Sequence, residues 1–370
     1  VAQIKKKIKT AIDNPLLIPW LVKNRLSAQF SYKFCRMLSA KALPPETVNI
    51  YPTARCNLRC SMCFEKFFQS EIELTFEEWV KIINRFKGFH PRIHFSGGEP
   101  FCYSKIINLI DYIKKDKLFV HVTTNGTYLR EYAKDIVRFG VNQIDISIDG
   151  PREIHDKIRG VVGTFDRILV GLYEINKIKQ RRRIPLIKIN SIINFENPKA
   201  MEELIKIARD FQVDGIQFFH TLFLDTEAIK NHQRFLTETI SKDLNYWRRA
   251  DNLQPRLGDF EMASEILSKL KENSSIDVKI FPQFNGEQLR AYYNIDKSFY
   301  LLLTTKCHAI WNTATILPSG ELESCPDYIV GNCLERDFFS LWNNELMREL
   351  RQRIRGNQLF TVCRACCFLY

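Results

Sequence analysis

Two rhythms of apolar residues divide the chain from residue 48 onward. Short runs rich in Ile, Val and Phe alternate with longer stretches whose apolar side chains recur every three or four positions. The short runs predict strands over 48–52, 92–95, 118–123, 143–148, 186–193 and 215–219. Between them, Trp79, Ile82, Ile83 and Phe86 fall on one helical face behind a Thr75-x-x-Glu78 capping box. Ser104 is placed to cap a helix with the face Ile106, Leu109, Ile110 and Ile113. A helix over 128–139 follows, Thr164 is placed to cap the next (Phe165, Ile168, Leu169, Leu172), and Met201, Leu204, Ile205 and Ala208 mark another. Strands alternating with helices predict a parallel α/β sheet of six βα-type units, enough for a partial barrel.

The flanks read differently. Ile4, Ile8, Ala11 and Ile12 stand at helical spacing among Lys5, Lys6, Lys7 and Lys9. Residues 1–45 hold nine Lys or Arg against one acid, Asp13, a net +8 within a chain of net +12. Such a segment suits either a helix on an anionic membrane surface or an extension packed on the barrel with its lysines in water. Residues 223–303 carry helical patterns near 228–247 and 261–270 and a strand over 278–281, and read as a helical connection. Near the C-terminus, Thr313–Leu317 and Glu321–Glu323 flank Pro318-Ser319-Gly320 as a β-hairpin, and a helix over 338–355 follows. The domains expected are 1–45, 46–222, 223–303 and 304–370.

Composition is that of an ordinary globular protein, 45% hydrophobic and 26% charged. Eleven cysteines in 370 residues are too few for a disulfide scaffold, and their clustering points to metal chemistry in a reducing, cytoplasmic setting. There is no run of eighteen apolar residues, no dinucleotide fingerprint, no phosphate-binding loop and no nucleic-acid module.

The densest chemistry is Cys56-Asn57-Leu58-Arg59-Cys60-Ser61-Met62-Cys63, three thiols within eight residues. A structural zinc site takes four closed ligands, and no fourth Cys or His follows at local spacing. A [4Fe–4S] cluster is normally held by four cysteines, so three would leave one iron open. Farther on, Cys307 and Cys325 bracket the hairpin, and Cys363 and Cys366 form a C-x2-C. These four can close a second cluster or a zinc site. Cys333 and Cys367 are substitute ligands, whereas Cys35 and Cys102 read as small buried residues.

The first run resembles the signature of the radical S-adenosylmethionine (SAM) superfamily, with Met62 before the third cysteine. Ser96-Gly97-Gly98-Glu99-Pro100, Thr123-Thr124-Asn125-Gly126-Thr127 and Ser147-Ile148-Asp149-Gly150 resemble further family motifs in the same order. The C-terminal cysteines are similar to the SPASM/twitch extension, in its shorter form. The resemblance implies a partial (β/α)6 TIM-like barrel with a small C-terminal hairpin-plus-helix iron–sulfur domain and a basic N-terminal helical extension. It implies a SAM-binding [4Fe–4S] cluster on Cys56, Cys60 and Cys63 and one auxiliary [4Fe–4S] cluster on Cys307, Cys325, Cys363 and Cys366. It further implies SAM contacts from Met62, Gly97, Gly98, Glu99 (to the ammonium), Asn125, Ser147, Asp149 (to the ribose), Arg159 (to the carboxylate) and Asn190. The activity implied is reductive cleavage of SAM to a 5′-deoxyadenosyl radical and hydrogen abstraction, with flavodoxin or ferredoxin as reductant. Substrate classes are a peptide, a sugar-like alcohol or a lipid-linked molecule, with peripheral membrane association through residues 1–45. The alternative from another class is a non-catalytic iron–sulfur, SAM-binding protein acting in partner recognition.

Overall fold

Runs with period two become strands because one face must be buried while the other turns to the lumen. The computed structural model describes residues 41–63, 72–180, 184–193, 197–222, 224–240, 246–249, 260–273, 276–294, 307–356 and 358–366. The basic helix expected within 1–40, the run Arg181-Arg182-Arg183, and Cys35 and Cys367 lie outside the described residues.

The strands are β1 (Thr47–Ile50), β2 (Arg92–Phe95), β3 (Val120–Thr124), β4 (Gln143–Ser147), β5 (Leu186–Ile192), β6 (Gly215–Phe219), β7 (Asp277–Phe281), β8 (Thr313–Ile316), β9 (Glu321–Cys325) and β10 (Tyr328–Asn332). They form one sheet in the order β10-β9-β8-β1-β2-β3-β4-β5-β6-β7. Pairing is parallel from β8 through β7, and β9 and β10 add antiparallel. The expected partial barrel is therefore present, with two additions. Residues 277–281 extend it by a seventh strand on β6. The hairpin continues the barrel's own sheet, because Thr313–Ile316 pairs in parallel with Thr47–Ile50.

Val48, Ile93, Val122, Ile144, Ile189 and Phe218 are fully buried and join one core with Trp79, Ile110, Ile136, Leu172 and Leu204 of the helices. Each side chain of this size contributes roughly 1.5–3 kcal/mol relative to exposure. The helix Phe76–Phe86 shows how locally this is specified. Thr75 accepts from the Glu78 amide while Glu78 accepts from the Thr75 amide, and Trp79, Ile82, Ile83 and Phe86 face inward.

Three local expectations are corrected. The helix Ile106–Lys115 begins after Lys105 with no side-chain cap, so Ser104 does not cap it. The helix Thr164–Lys179 is preceded by Gly163 at φ 81°, and the Thr164 hydroxyl instead donates back to Val161 O at 2.5 Å. The helix expected over 338–355 is two, Phe338–Trp342 and Glu345–Arg355. Asn344 caps the second through the Met347 amide, and Asn343 exchanges two hydrogen bonds with the backbone of Ala42. Among the described residues no helix is long and apolar enough to cross a membrane.

Candidate functional site

Residues that follow β2, β3 and β4 contact the cysteine loop, which leaves β1 at Tyr51. Backbone bonds fasten this loop on two sides. Gly98 and Glu99 amides donate to Thr53 O (3.1 Å) and Arg55 O (2.8 Å), and Arg59 and Ser61 amides donate to Arg159 O (3.1 Å) and Ile158 O (3.0 Å). Contact is so close that a Cβ on Gly98 would lie 2.3 Å from Arg55 O. Gly160, at φ 71°, meets Arg59 O in the same way, with a Cβ position 2.6 Å away. Gly98 is thus required by the cysteine loop itself, a role that its motif alone did not indicate.

Within the loop, Cys56 is exposed, Cys60 buried and Cys63 half-buried. Donors surround the sulfurs. The Leu58 amide stands 3.5 Å and Asn125 Nδ2 3.8 Å from Cys56 Sγ, and Arg159 Nη1 stands 3.7 Å from Cys60 Sγ. Such N–H groups favour thiolate, although at Cys56 burial outweighs the Leu58 amide and pushes the thiol up to about 12, a bias that iron ligation would reverse. The donor set therefore fits a cluster on this loop.

Glu99 and Asn125 tie the loop to the sheet. Glu99 is 1% exposed and accepts from Thr124 Oγ1 (2.7 Å), the Asn125 amide (2.7 Å) and the Phe101 amide (3.2 Å). Burial pushes its carboxyl up to about 7, against the pull of those donors and of Arg159. Asn125 Nδ2 donates to Asn57 Oδ1 at 2.8 Å, and Asn57 Nδ2 reaches Thr127 Oγ1 at 2.9 Å.

Asp149 and Arg159, expected at opposite ends of SAM, face each other. Asp149 Oδ2 lies 2.7 Å from Arg159 Nε, while Oδ1 accepts from the Ile192 amide at 3.1 Å. Gly150, at φ 154°, follows Asp149 directly, and the Asp149 amide donates to His155 Nδ1 at 3.2 Å. Ser147 pairs in register with Asn190, whose buried Oδ1 has no hydrogen-bond partner among the described residues. Met62 is half-buried at the loop's turn, and Gly97 (φ 103°) packs under Tyr51.

The motifs contain Asn57 and Thr124 without assigning them a role, and Cys102 reads there only as a small buried residue. Cys102 is half-buried against the cysteine loop, within reach of the Asn57 amide and the Tyr128 hydroxyl, and within electrostatic reach of Cys56. Its position three residues after Glu99 was the available signal.

The second cysteine set gathers behind β9. Cys307 precedes the helix Ala309–Asn312, Cys325 ends β9, and Cys363 and Cys366 bracket a tight turn in which the Cys366 amide donates to Cys363 O at 3.1 Å. Burial, together with the neighbouring Cys363 and Cys307 thiols, raises the Cys325 thiol well above its ordinary range. Cys333 is fully buried on another side, where its carbonyl accepts from Arg85 at 2.5 Å. Among the described residues no three ligand-type side chains draw in tightly enough for a single metal ion. A four-iron cluster spaces its thiolates more widely than one zinc does.

Residues 50–226 match the family model of the radical SAM superfamily, and residues 307–367 match that of the SPASM iron–sulfur cluster-binding domain. The Fe-coproporphyrin III synthase of Methanosarcina barkeri is 33% identical over 175 residues, 46% of this chain and 43% of that protein's length. A tungsten-containing aldehyde ferredoxin oxidoreductase cofactor-modifying protein of Pyrococcus furiosus is 25% identical over 328 residues, 85% of each chain. Streptococcus suis SuiB bound to S-adenosylmethionine shares the fold with a TM-score of 0.61 at 16% identity, over 87% of this chain and 71% of that one. The domains matched imply SAM, a [4Fe–4S] cluster and auxiliary iron–sulfur chemistry as the cofactors.

Proposed function

Because the chain belongs to the radical SAM superfamily, we propose that it is an enzyme that oxidises or otherwise tailors a peptide, a sugar-like alcohol or a lipid-linked substrate by SAM-dependent hydrogen abstraction. The observation that carries this reading is the donor-rich cysteine loop, held against Glu99, Asn125 and the Asp149–Arg159 pair at one end of the barrel. When bound, the cluster and SAM supply a 5′-deoxyadenosyl radical that removes a hydrogen atom from the substrate.

Each residue then has a defined task. Cys56, Cys60 and Cys63 hold the cluster, with Asn125 and the Leu58 amide favouring the Cys56 thiolate and Arg159 the Cys60 thiolate. Glu99 accepts from the SAM ammonium, and the Asn125 side chain keeps the loop in register with Glu99. Met62, Gly97, Ser147 and Asn190 line the SAM cradle. Arg159 stands where it can turn from Asp149 to a SAM carboxylate, freeing Asp149 for ribose hydroxyls. Cys307, Cys325, Cys363 and Cys366 would hold one auxiliary [4Fe–4S] cluster, which would supply electron-accepting chemistry for a substrate oxidation. The relatives' names, a synthase of an iron porphyrin and a cofactor-modifying protein, support a cofactor-like small molecule as a further substrate class. The +8 charge of residues 1–45 supports peripheral association with an anionic membrane, testable by vesicle sedimentation at low and high salt.

The deciding experiment is anaerobic incubation of reconstituted protein with SAM, a strong reductant and deuterated candidate substrates. Transfer of deuterium into 5′-deoxyadenosine identifies both activity and substrate. A reconstituted protein that binds SAM yet releases no 5′-deoxyadenosine under any of these conditions would instead be a binding protein.

A further inference from the structure

A buried polar atom without a partner costs free energy, so each one in a folded chain calls for an account of what it serves. Two such groups stand side by side near the C-terminal cysteine set. His232, on the helix Thr226–Ile240, is 2% exposed, and neither its Nδ1 nor its Nε2 has a hydrogen-bond partner. Arg353, on the helix Glu345–Arg355, has a buried Nε that is likewise unpaired, and no ion pair joins its guanidinium to any described residue. The placement of His232 is fixed by its helix. Ala228, His232 and Leu236 recur every four residues as the buried face, and Thr361 Oγ1 donates to Ala228 O at 2.7 Å, one turn before His232. That bond ties the helix to the turn Thr361–Ala365, which carries Cys363.

The two groups share one pair of aromatic rings. The His232 ring lies 5.1 Å from Phe360 and 6.3 Å from Phe235, and the Arg353 guanidinium lies 5.0 Å and 4.7 Å from the same two rings. Ring faces hold a guanidinium without using up its N–H donors. Phe360 is also the residue against which Cys363 folds back. The Cys363 amide donates to Phe360 O at 3.0 Å, and the Phe360 amide reaches the Cys363 sulfur. Arg353 is a cation within electrostatic reach of that sulfur. The charges near Cys325 are acids, Glu323 and Asp327, which accept from the backbone amides of Asp327 and Tyr246. A four-iron cluster on four thiolates is an anion, and its potential rises with the hydrogen bonds and positive charge placed around its sulfurs.

We propose that His232 and Arg353 are a donor and a fixed charge behind Cys363 that raise the reduction potential of the auxiliary cluster. This rests on the reading of Cys307, Cys325, Cys363 and Cys366 as one four-iron site, and it adds to that reading the residues that set the site's potential. The unpaired nitrogens then have a use, because they back onto the turn that presents the thiolates.

The test is a redox titration. Full-length protein carrying Cys56→Ala, Cys60→Ala and Cys63→Ala is reconstituted anaerobically, so that only the C-terminal set is loaded, and its midpoint potential is read by absorbance without SAM or substrate. Arg353→Met should move the reduction equilibrium about tenfold toward the oxidised form, a fall of about 59 mV for one electron. Arg353→Lys keeps the charge and should retain most of the potential. His232→Phe should lower the same equilibrium by about threefold, the value of one modest hydrogen bond, and His232→Gln should recover part of it. Stability separates this role from a structural one. Without iron, His232→Phe should melt no lower than its parent, because it removes two buried nitrogens that have no partner. A lower melting point without iron and an unchanged midpoint with it would make His232 a packing residue and overturn its part. A four-iron cluster with one midpoint in the parent, Arg353→Met and His232→Phe would overturn the proposal and leave the cluster assignment standing. Zinc in the set, with no midpoint to read, would overturn both.

Discussion

Asp149 and Arg159 form an ion pair at 2.7 Å with side chains only 1% and 12% exposed, and the same guanidinium reaches Cys60 Sγ at 3.7 Å. One arginine therefore links the fourth strand's end to the cysteine loop. Breaking a buried pair by removing one partner leaves an uncompensated charge, which typically costs about 3–5 kcal/mol. Arg159→Met is expected to lower unfolding stability by about 3 kcal/mol in denaturant melts and to reduce iron retained at the loop. A variant of wild-type stability would show that the pair carries little of the fold.

Cys56, Cys60 and Cys63 changed together to Ala should abolish 5′-deoxyadenosine release. The iron–sulfur absorption of the C-terminal set should persist. Release at wild-type rate from the triple variant would place the SAM-cleaving centre elsewhere.

Replacing Cys363 and Cys366 by Ala should lower bound iron from about eight to about four per chain, the difference of one four-iron cluster. Product formation should stop while SAM cleavage uncoupled from product continues. Zinc together with only about four irons per chain in anaerobically purified wild type, measured by elemental analysis, would assign the set a structural metal instead.

Glu99 gives a pH dependence of defined sign. Its folded carboxyl is raised by burial from 4.5 to about 7, so the protonated form is favoured by folding. That contribution is fully present below about pH 4.5 and is lost as pH rises through about 7. Wild-type protein without SAM should lose up to about 3 kcal/mol over this window relative to Glu99→Gln, at about 1.4 kcal/mol per unit. SAM, whose ammonium would pair with the carboxylate, should flatten the slope. Parallel stability curves for the two proteins would remove Glu99 as the titrating group.

Gly98→Ala should disrupt the cysteine loop, because its Cβ would stand 2.3 Å from Arg55 O, a backbone atom with nowhere to move. Loss of cluster at the loop with retention of C-terminal iron is the outcome to be read by absorption and iron content.

The sequence by itself determined the strands at 92–95 and 215–219, the capped helix behind Thr75, the three-cysteine loop and the hairpin around Gly320. All of these carry a local signature in residue spacing, caps or turn residues, which periodicity and turn chemistry report directly. Where a residue's partner is distant, the tertiary structure decided. Thr47 and Thr313 lie far apart in sequence yet pair in register, turning an expected appendage into part of the barrel sheet. Gly98 was legible as a glycine before a carboxylate, but its need for a missing Cβ comes from Arg55, brought over it by the loop's return. Asp149 and Arg159 read as separate ligands until helix and strand placed them in contact. The polar face that carries His94, His121, Gln143 and Asp145 follows from which face of each strand the apolar residues claim for the helices. Alternation marks two faces on every strand, and only the closing curvature of the sheet makes one of them an interior.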